Sequence, residues 1–333
     1  CIATTSGTAS LTLSLMTLGV GHGDEVIVPN RTWIATAHAA RILGAHVRVV
    51  DVRDELPLID PAMIEPLINQ NTKAIIPVHM NGRASNMRAI NELGKRYGVQ
   101  VIEDAAQALG SRNSDGYLGT QSLAGCFSLS VAKIISTGQG GFIATDNEQF
   151  ATKVRANRTH GIENIQDPGI WGEPGYNFRI TDMQSAIGLI QLSRIYGRME
   201  KLVDVHGIYL EGLKDCQNIR VIPVNVEQGE IPLYVEALTQ HRSSLMEYLS
   251  KRGIETRPFY PNLSDASYFE KTKSNSVRSD VFSKGGIYLP SGPTQLTDDL
   301  LTVVEAIREW DESLFDLTAK PSGLGRESGP VST

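Results

Sequence analysis

Cysteine is scarce in this chain: Cys1, Cys126 and Cys216 are the three in 333 residues. An odd count with no CxxC and no Cys/His spacing speaks against a disulfide scaffold and against a zinc site, and it fits a reducing compartment. The cytoplasm is therefore the expected location, and no metal is expected. Long hydrophobic runs are also missing. The most apolar stretch, 11–20, is interrupted by Thr and Ser and falls short of the ~20 residues that span a bilayer. No membrane span is expected. Blocks of like charge are absent too, and 31 basic against 37 acidic side chains leave a net charge of −6. Without a basic tail, nucleic acid is not an expected partner. An initiating methionine is lacking as well: the chain begins at Cys1, and 2–13 reads like the interior of a domain. A fragment is expected.

What is present is enough for a large core: at roughly 150 residues per domain, the length predicts about two domains. From the start to about residue 195, helix-like stretches alternate with short Val/Ile runs at 25–29, 46–51, 74–78, 99–103 and 125–130. With amphipathic segments at 61–69 and 86–97 between them, these runs describe βα units and a mostly parallel sheet. In such sheets functional groups gather beyond the carboxyl ends of the strands. Thr181 and Gln184 form a capping-box pattern opening a helix with Met183, Ile187, Ile190 and Ile195 at helical spacing, which is expected to bridge two domains. Strand-like 219–226 and 233–238 and a helix at 241–251 predict a smaller α+β domain over 196–315. The Ser/Gly/Pro-rich end, 316–333, is expected to be a disordered tail.

Five short motifs bear on chemistry. Ser6-Gly7-Thr8 precedes a helical stretch; it is either a phosphate cradle of free N–H groups at a helix N-terminus or an ordinary cap. Asp104 ends the strand in VIEDAAQ, where it either meets a cationic ligand atom or caps a helix. Lys133 sits among Val131, Ala132, Ile134 and Ile135 beside the glycine-rich TGQGG. Desolvation there makes an amine nucleophilic, although a surface Lys with a buried stem is the ordinary alternative. Trp33 offers a stacking face or a core side chain. The GYNFR segment, with Asn177 and Arg179, suits an anion or a turn. In this order, within one βα-repeat domain, they are the parts that a pyridoxal phosphate site requires.

Taken together, SGTASLTLSL, VPNRTWIATAHAARILGA, VHMNGRASNM, VIEDAAQALGS, FSLSVAKIISTGQGGFIAT, GYNFRITDMQSAIGLIQL and RGIETRPFYP resemble the DegT/DnrJ/EryC1/StrS family of sugar aminotransferases, from about Ser6 to about Trp310. The resemblance implies an α/β fold of the aspartate-aminotransferase type (fold type I), with a large cofactor domain over 1–195 and a smaller C-terminal domain. It implies a transaminase that uses pyridoxal 5'-phosphate, with pyridoxamine 5'-phosphate as intermediate, in a ping-pong reaction. The amino group would pass from a donor such as glutamate to a nucleotide-linked keto sugar, for lipopolysaccharide or surface-glycan precursors. By position, Lys133 would form the Schiff base, Asp104 pair with the pyridinium nitrogen, Gln107 lie near the phenolic oxygen and Trp33 stack. Gly7, Thr8 and Ser128 would hold the phosphate, and Asn177 would reach it from the neighbouring subunit of a homodimer. Arg31, His79, His160, Arg179 and Tyr260 are further candidates for the substrate cleft.

The sugar-dehydratase branch of the same fold carries His at the Schiff-base position, so Lys133 argues against it. A non-catalytic homologue would have no physical need for Lys133, Asp104 and Gln107 together. Three departures stand out: Gln139 replaces a common Glu, Leu109 stands where His is frequent, and the segment that usually precedes SGT is missing.

Overall fold

Alternation along one strand sets the architecture. In β2 (Glu25–Pro29), Val26 and Val28 point to one side and Ile27 to the other, and all three are buried. A strand covered on both faces belongs inside a layered sheet. The computed structural model describes residues 1–164, 166, 173–269 and 276–318. Its large sheet has seven strands, in the order β1 (Ile2–Thr4), β9 (Gly141–Ala144), β8 (Ala124–Ser128), β5 (Gln100–Asp104), β4 (Thr72–Ile75), β2 and β3 (His46–Val50). The run from β8 to β3 is parallel, whereas β9 is antiparallel to both β8 and β1. Helices α1 (Gly7–Thr17), α2 (Ala35–Ile42) and α4 (Glu148–Arg158) cover the face that receives Val26 and Val28. Ile27 packs on the opposite face, with Ile90 and Leu93 of α3 (Met87–Tyr97). A two-residue hairpin pair, β6 (Arg112–Asn113) and β7 (Gly116–Tyr117), lies after β5.

The second sheet is antiparallel, in the order β10 (Arg220–Val221), β11 (Val235–Leu238), β13 (Gly286–Leu289), β12 (Arg257–Pro258). Its core draws Tyr209 from α6 (Ile195–Gly212), Leu245 and Leu249 from α7 (Arg242–Ser250), and Leu300 and Trp310 from α9 (Thr297–Thr318). Helix α8 (Val277–Gly285) leads directly into β13.

Several elements differ from the sequence expectation. Pro66 divides 61–69 into two 3-10 turns, Pro61–Met63 and Glu65–Leu67, instead of a continuous helix, because a proline inside the segment lacks the N–H that propagation needs. The strand foreseen at 219–226 is only Arg220–Val221, with Pro223 just beyond it. The capping box forms as expected on α5 (Asp182–Leu192), yet α5 buries none of its side chains, and Ile195 belongs to the next helix. It is α6 that runs between the two sheets, with Ile195 and Leu202 packed on Ile134, Ile135 and Leu233, and Val205 and Tyr209 in the second core. Residues 316–318, expected in the tail, continue α9; the rest of that expected tail, 319–333, lies outside the described residues.

Polar contacts also join the two sheets. Buried Arg83 pairs with buried Glu236 of β11 at 2.5 Å and donates to the carbonyls of Pro223 (2.7 Å) and Ile222 (2.9 Å). Satisfying a desolvated guanidinium on several sides fixes its neighbours in place. No helix among the described residues is long and apolar enough to cross a membrane.

Candidate active site

The parallel strands β2, β5 and β8 end at one edge of the sheet, and their following loops enclose a cleft of about 570 Å³. That size accommodates a small organic cofactor with part of a substrate. Its floor is built on β5. Burial raises the Asp104 carboxyl above the usual carboxylate range, against the Thr36 hydroxyl that donates to Oδ2 at 2.7 Å and the Ala106 N–H that donates to Oδ1 at 3.1 Å. Lys133, in the loop after β8, further favours the ionised form. The expected helix cap is not its role, since a turn follows β5. A buried carboxylate short of a full counter-charge calls for a cation at this spot.

Lys133 lines the same cleft. Burial lowers its amine from the ordinary lysine range, and Asp104 opposes the shift. Its apolar neighbours divide: Ile134 and Ile135 are buried, whereas Val131 is 76 % exposed. A half-buried amine with a depressed pKa has a larger neutral, nucleophilic fraction at pH 7 than a surface lysine.

The opposite wall is the start of α1. The Ser6 hydroxyl caps the helix by accepting from Ala9 N–H at 3.0 Å, which leaves the first-turn N–H groups of Gly7 and Thr8 without intrahelical partners. A Cβ on Gly7 would meet Ser128 Cβ at 2.9 Å and the Phe127 carbonyl at 3.4 Å. Glycine is thus required for α1 to approach the end of β8, where Ser128 lines the cleft beside Gly7 and Thr8. The helix dipole, two N–H groups and a hydroxyl converge as an anion site needs. Gly7→Ala is expected to keep the fold, at about 1–3 kcal/mol of overpacking, and to weaken inorganic phosphate binding by about tenfold or more in an equilibrium titration, which corresponds to ~1.4 kcal/mol.

Trp33, 57 % exposed, stands over the opening and meets Tyr260 edge-on at 5.5 Å. Gln107 donates through Nε2 to the Tyr260 hydroxyl at 3.3 Å. Of the residues expected from the sequence, Gly7, Thr8, Trp33, Asp104, Gln107, Ser128, Lys133 and Tyr260 line this one cleft.

Others lie elsewhere. His79 is fully buried behind the cleft, bonded through Nε2 to Glu103 at 2.8 Å. Burial pushes the Glu103 carboxyl up, but His79 and the N–H groups of Gly119 and Gln121 bring it below the ordinary range. Arg31, also buried, donates to the Tyr260 carbonyl at 2.6 Å and so supports the wall from behind. Asn177 forms an isolated bridge with Thr159 and does not line the cleft of its own chain, and neither do His160 and Arg179. Thr36, Tyr234, Tyr288 and Arg257 escaped the sequence reading. Thr36 carries the one available signal, lying one helical turn beyond Trp33.

Comparison with known proteins is consistent with this geometry. The DegT/DnrJ/EryC1/StrS aminotransferase family matches residues 1–308. A curated relative, the dTDP-3-amino-3,4,6-trideoxy-alpha-D-glucose transaminase of Streptomyces venezuelae, is 32 % identical over 317 residues, which span 93 % of this chain and 83 % of that protein. The crystal structure of DesV from S. venezuelae in complex with a ketimine intermediate is 30 % identical with a TM-score of 0.88, covering 93 % of this chain and 84 % of that one. A family member from Brucella abortus is 26 % identical with a TM-score of 0.86, covering 93 % and 85 %.

Proposed function

Because the chain belongs to the DegT/DnrJ/EryC1/StrS aminotransferase family, whose members depend on pyridoxal phosphate, we propose that it moves an amino group from glutamate to a keto carbon of a nucleotide-linked sugar. The observation that carries this reading is the convergence of the Lys133 amine, the buried Asp104 carboxylate and the open N-terminus of α1 on one cleft. Each matches one part of the cofactor: an aldehyde, a basic ring nitrogen and a phosphate ester. The sugar-nucleotide substrate rests on the S. venezuelae transaminase, whose name specifies a dTDP-linked amino sugar.

When bound, pyridoxal phosphate supplies an electron sink that stabilises negative charge on the substrate carbon. The chain's own residues do the rest. Asp104, steadied by Thr36 and the Ala106 N–H, would hold the proton on the ring nitrogen. Lys133 would hold the aldehyde end of the cofactor, and its amine, with its depressed pKa, is suited to carry a proton to and from the substrate carbon. Gly7, Thr8 and Ser128 would hold the phosphate, Trp33 would offer its face to the ring, and Gln107 would serve the phenolic oxygen. Tyr260 and Arg257 border the space left for the sugar.

The reading also includes a homodimer with Asn177 acting across it. Support comes from α5, where Met183, Leu189 and Ile190 are 78, 70 and 58 % exposed on one helix next to the cleft; its Gln184 donates to the Gln139 carbonyl of the cleft wall at 2.8 Å. Apolar side chains clustered this way mark an interaction surface. Met183→Asp with Ile190→Asp is expected to convert dimer to monomer in sedimentation and to weaken cofactor binding; a wild-type monomer with tight binding contradicts it. A cofactor domain over 1–195, a smaller domain over 196–315, a cytoplasmic setting and a surface-glycan precursor complete the proposal. Purified protein with pyridoxal phosphate should be yellow, lose colour with glutamate and regain it with a nucleotide-linked keto sugar. An unchanged spectrum after glutamate refutes the donor half-reaction.

A further inference from the structure

Two non-glycine residues among those described adopt the left-handed conformation, Asn81 and His160. His160 is exposed in a loop, whereas Asn81 (φ 54°, ψ 38°) is fully buried in the loop after β4. That conformation is tolerated by few side chains and persists where surrounding contacts enforce it. Every polar group by which Asn81 meets its neighbours points to the cleft wall. Its main-chain N–H donates to Oε1 of Gln107 at 2.9 Å. Its side-chain amide makes a reciprocal pair with the main chain of Tyr234: Nδ2 donates to the carbonyl at 2.9 Å and Oδ1 accepts from the N–H at 2.7 Å. The phenol of Tyr234 in turn donates to the Ala132 carbonyl at 2.9 Å, next to Lys133. Gly82 allows the arrangement, since a Cβ there would stand 1.9 Å from the Ile231 carbonyl oxygen.

The chemistry of the Gln107 contact has one solution. A backbone N–H only donates, so the Gln107 atom facing it must be the carbonyl oxygen. The amino end is then left pointing into the cleft, where its contact is the Tyr260 hydroxyl. Free to rotate, that amide could offer either end to a ligand. Held by Asn81, it offers only a donor.

We propose that Asn81 is a positioning residue: its left-handed backbone fixes the amide of Gln107 so that a hydrogen-bond donor, never an acceptor, faces the phenolic oxygen of the cofactor. This rests on the placement of Gln107 given above. A fixed donor favours the ionised form of an aromatic hydroxyl, so Asn81 acts on the electronic state of the bound cofactor without touching it. The side-chain pair with Tyr234 is a separate strut, which holds the main chain of that wall.

The test is a pH titration of the visible absorbance of the protein with pyridoxal phosphate bound, together with the cofactor's dissociation constant. Gln107→Leu is expected to raise the titration midpoint by up to about one pH unit, through loss of the donor. Asn81→Leu should raise it by a similar amount in the wild-type background and by nothing further in Gln107→Leu. Asn81→Gly, which keeps the conformation and the N–H but removes the side chain, should keep the wild-type midpoint. Additive shifts of Asn81→Leu and Gln107→Leu overturn the proposal, as does an Asn81→Gly shift as large as that of Gln107→Leu. Should Asn81→Leu fail to fold, Asn81→Gly decides alone. If Gln107→Leu leaves the midpoint unmoved, the placement of Gln107 is wrong and the proposal falls with it. If Gln107→Leu raises the midpoint and Asn81→Leu does not, the placement stands and the proposal alone falls.

Discussion

Lys133→Ala should retain the fold and lose turnover by at least about 10³-fold, within the range that removal of a positioned acid–base group costs. Burial lowers the Lys133 amine while Asp104 opposes the shift, so the neutral, proton-accepting form is more accessible than in a surface lysine. Alanine supplies neither the tether nor the proton carrier. The variant should still bind pyridoxal phosphate through the start of α1, where Gly7, Thr8 and Ser128 are untouched. Single-turnover assays with pre-bound cofactor separate the two effects. Binding with no turnover supports the assignment, and turnover within tenfold of wild type refutes it.

Asp104→Asn carries the second large effect and a definite pH signature. With the ring nitrogen no longer held protonated, turnover should fall by about 10²–10³-fold, the scale of a lost electrostatic contact in a desolvated site. In the cofactor-free protein the sign is different. Burial raises the folded-state pKa of Asp104 above its unfolded value, so its contribution to stability is full below the unfolded pKa and is lost as pH rises through the folded one. Asparagine removes that loss. The melting temperature of cofactor-free Asp104→Asn should therefore gain on wild type as pH rises above the unfolded carboxylate pKa of about 3.9, whereas with cofactor bound the wild type should regain the advantage. A difference independent of pH in the cofactor-free proteins would count against the buried-carboxylate argument.

Legibility in the sequence followed locality. Trp33, Asp104 and Lys133 were readable because each ends or follows a strand of the parallel sheet, and the topology sends all such positions to one edge, whereas Ser128 came from the family resemblance. Ser6-Gly7-Thr8 was readable because a cap and a glycine announce a helix start. Tyr234, Tyr288 and Arg257 were not, since they reach the cleft from the second sheet across more than a hundred residues of chain. Asn81 was invisible for another reason: a left-handed backbone at asparagine leaves no periodicity, and its partner Tyr234 lies 153 residues away. The α5 pattern was read correctly as an apolar face and wrongly as a bridge, because spacing reveals that a face is apolar but not what covers it. At 61–69 the apolar spacing suggested a helix, and the interior Pro66 outweighed it.

Transfer of nitrogen is the most direct test of the account. Purified protein with pyridoxal phosphate, ¹⁵N-labelled glutamate and a panel of nucleotide-linked keto sugars is followed by mass spectrometry. The account predicts that one keto sugar of the panel gains the labelled amino group while glutamate becomes its keto acid, and that Lys133→Ala gives neither. Label appearing in no sugar across the panel, with the cofactor bound, would contradict the account.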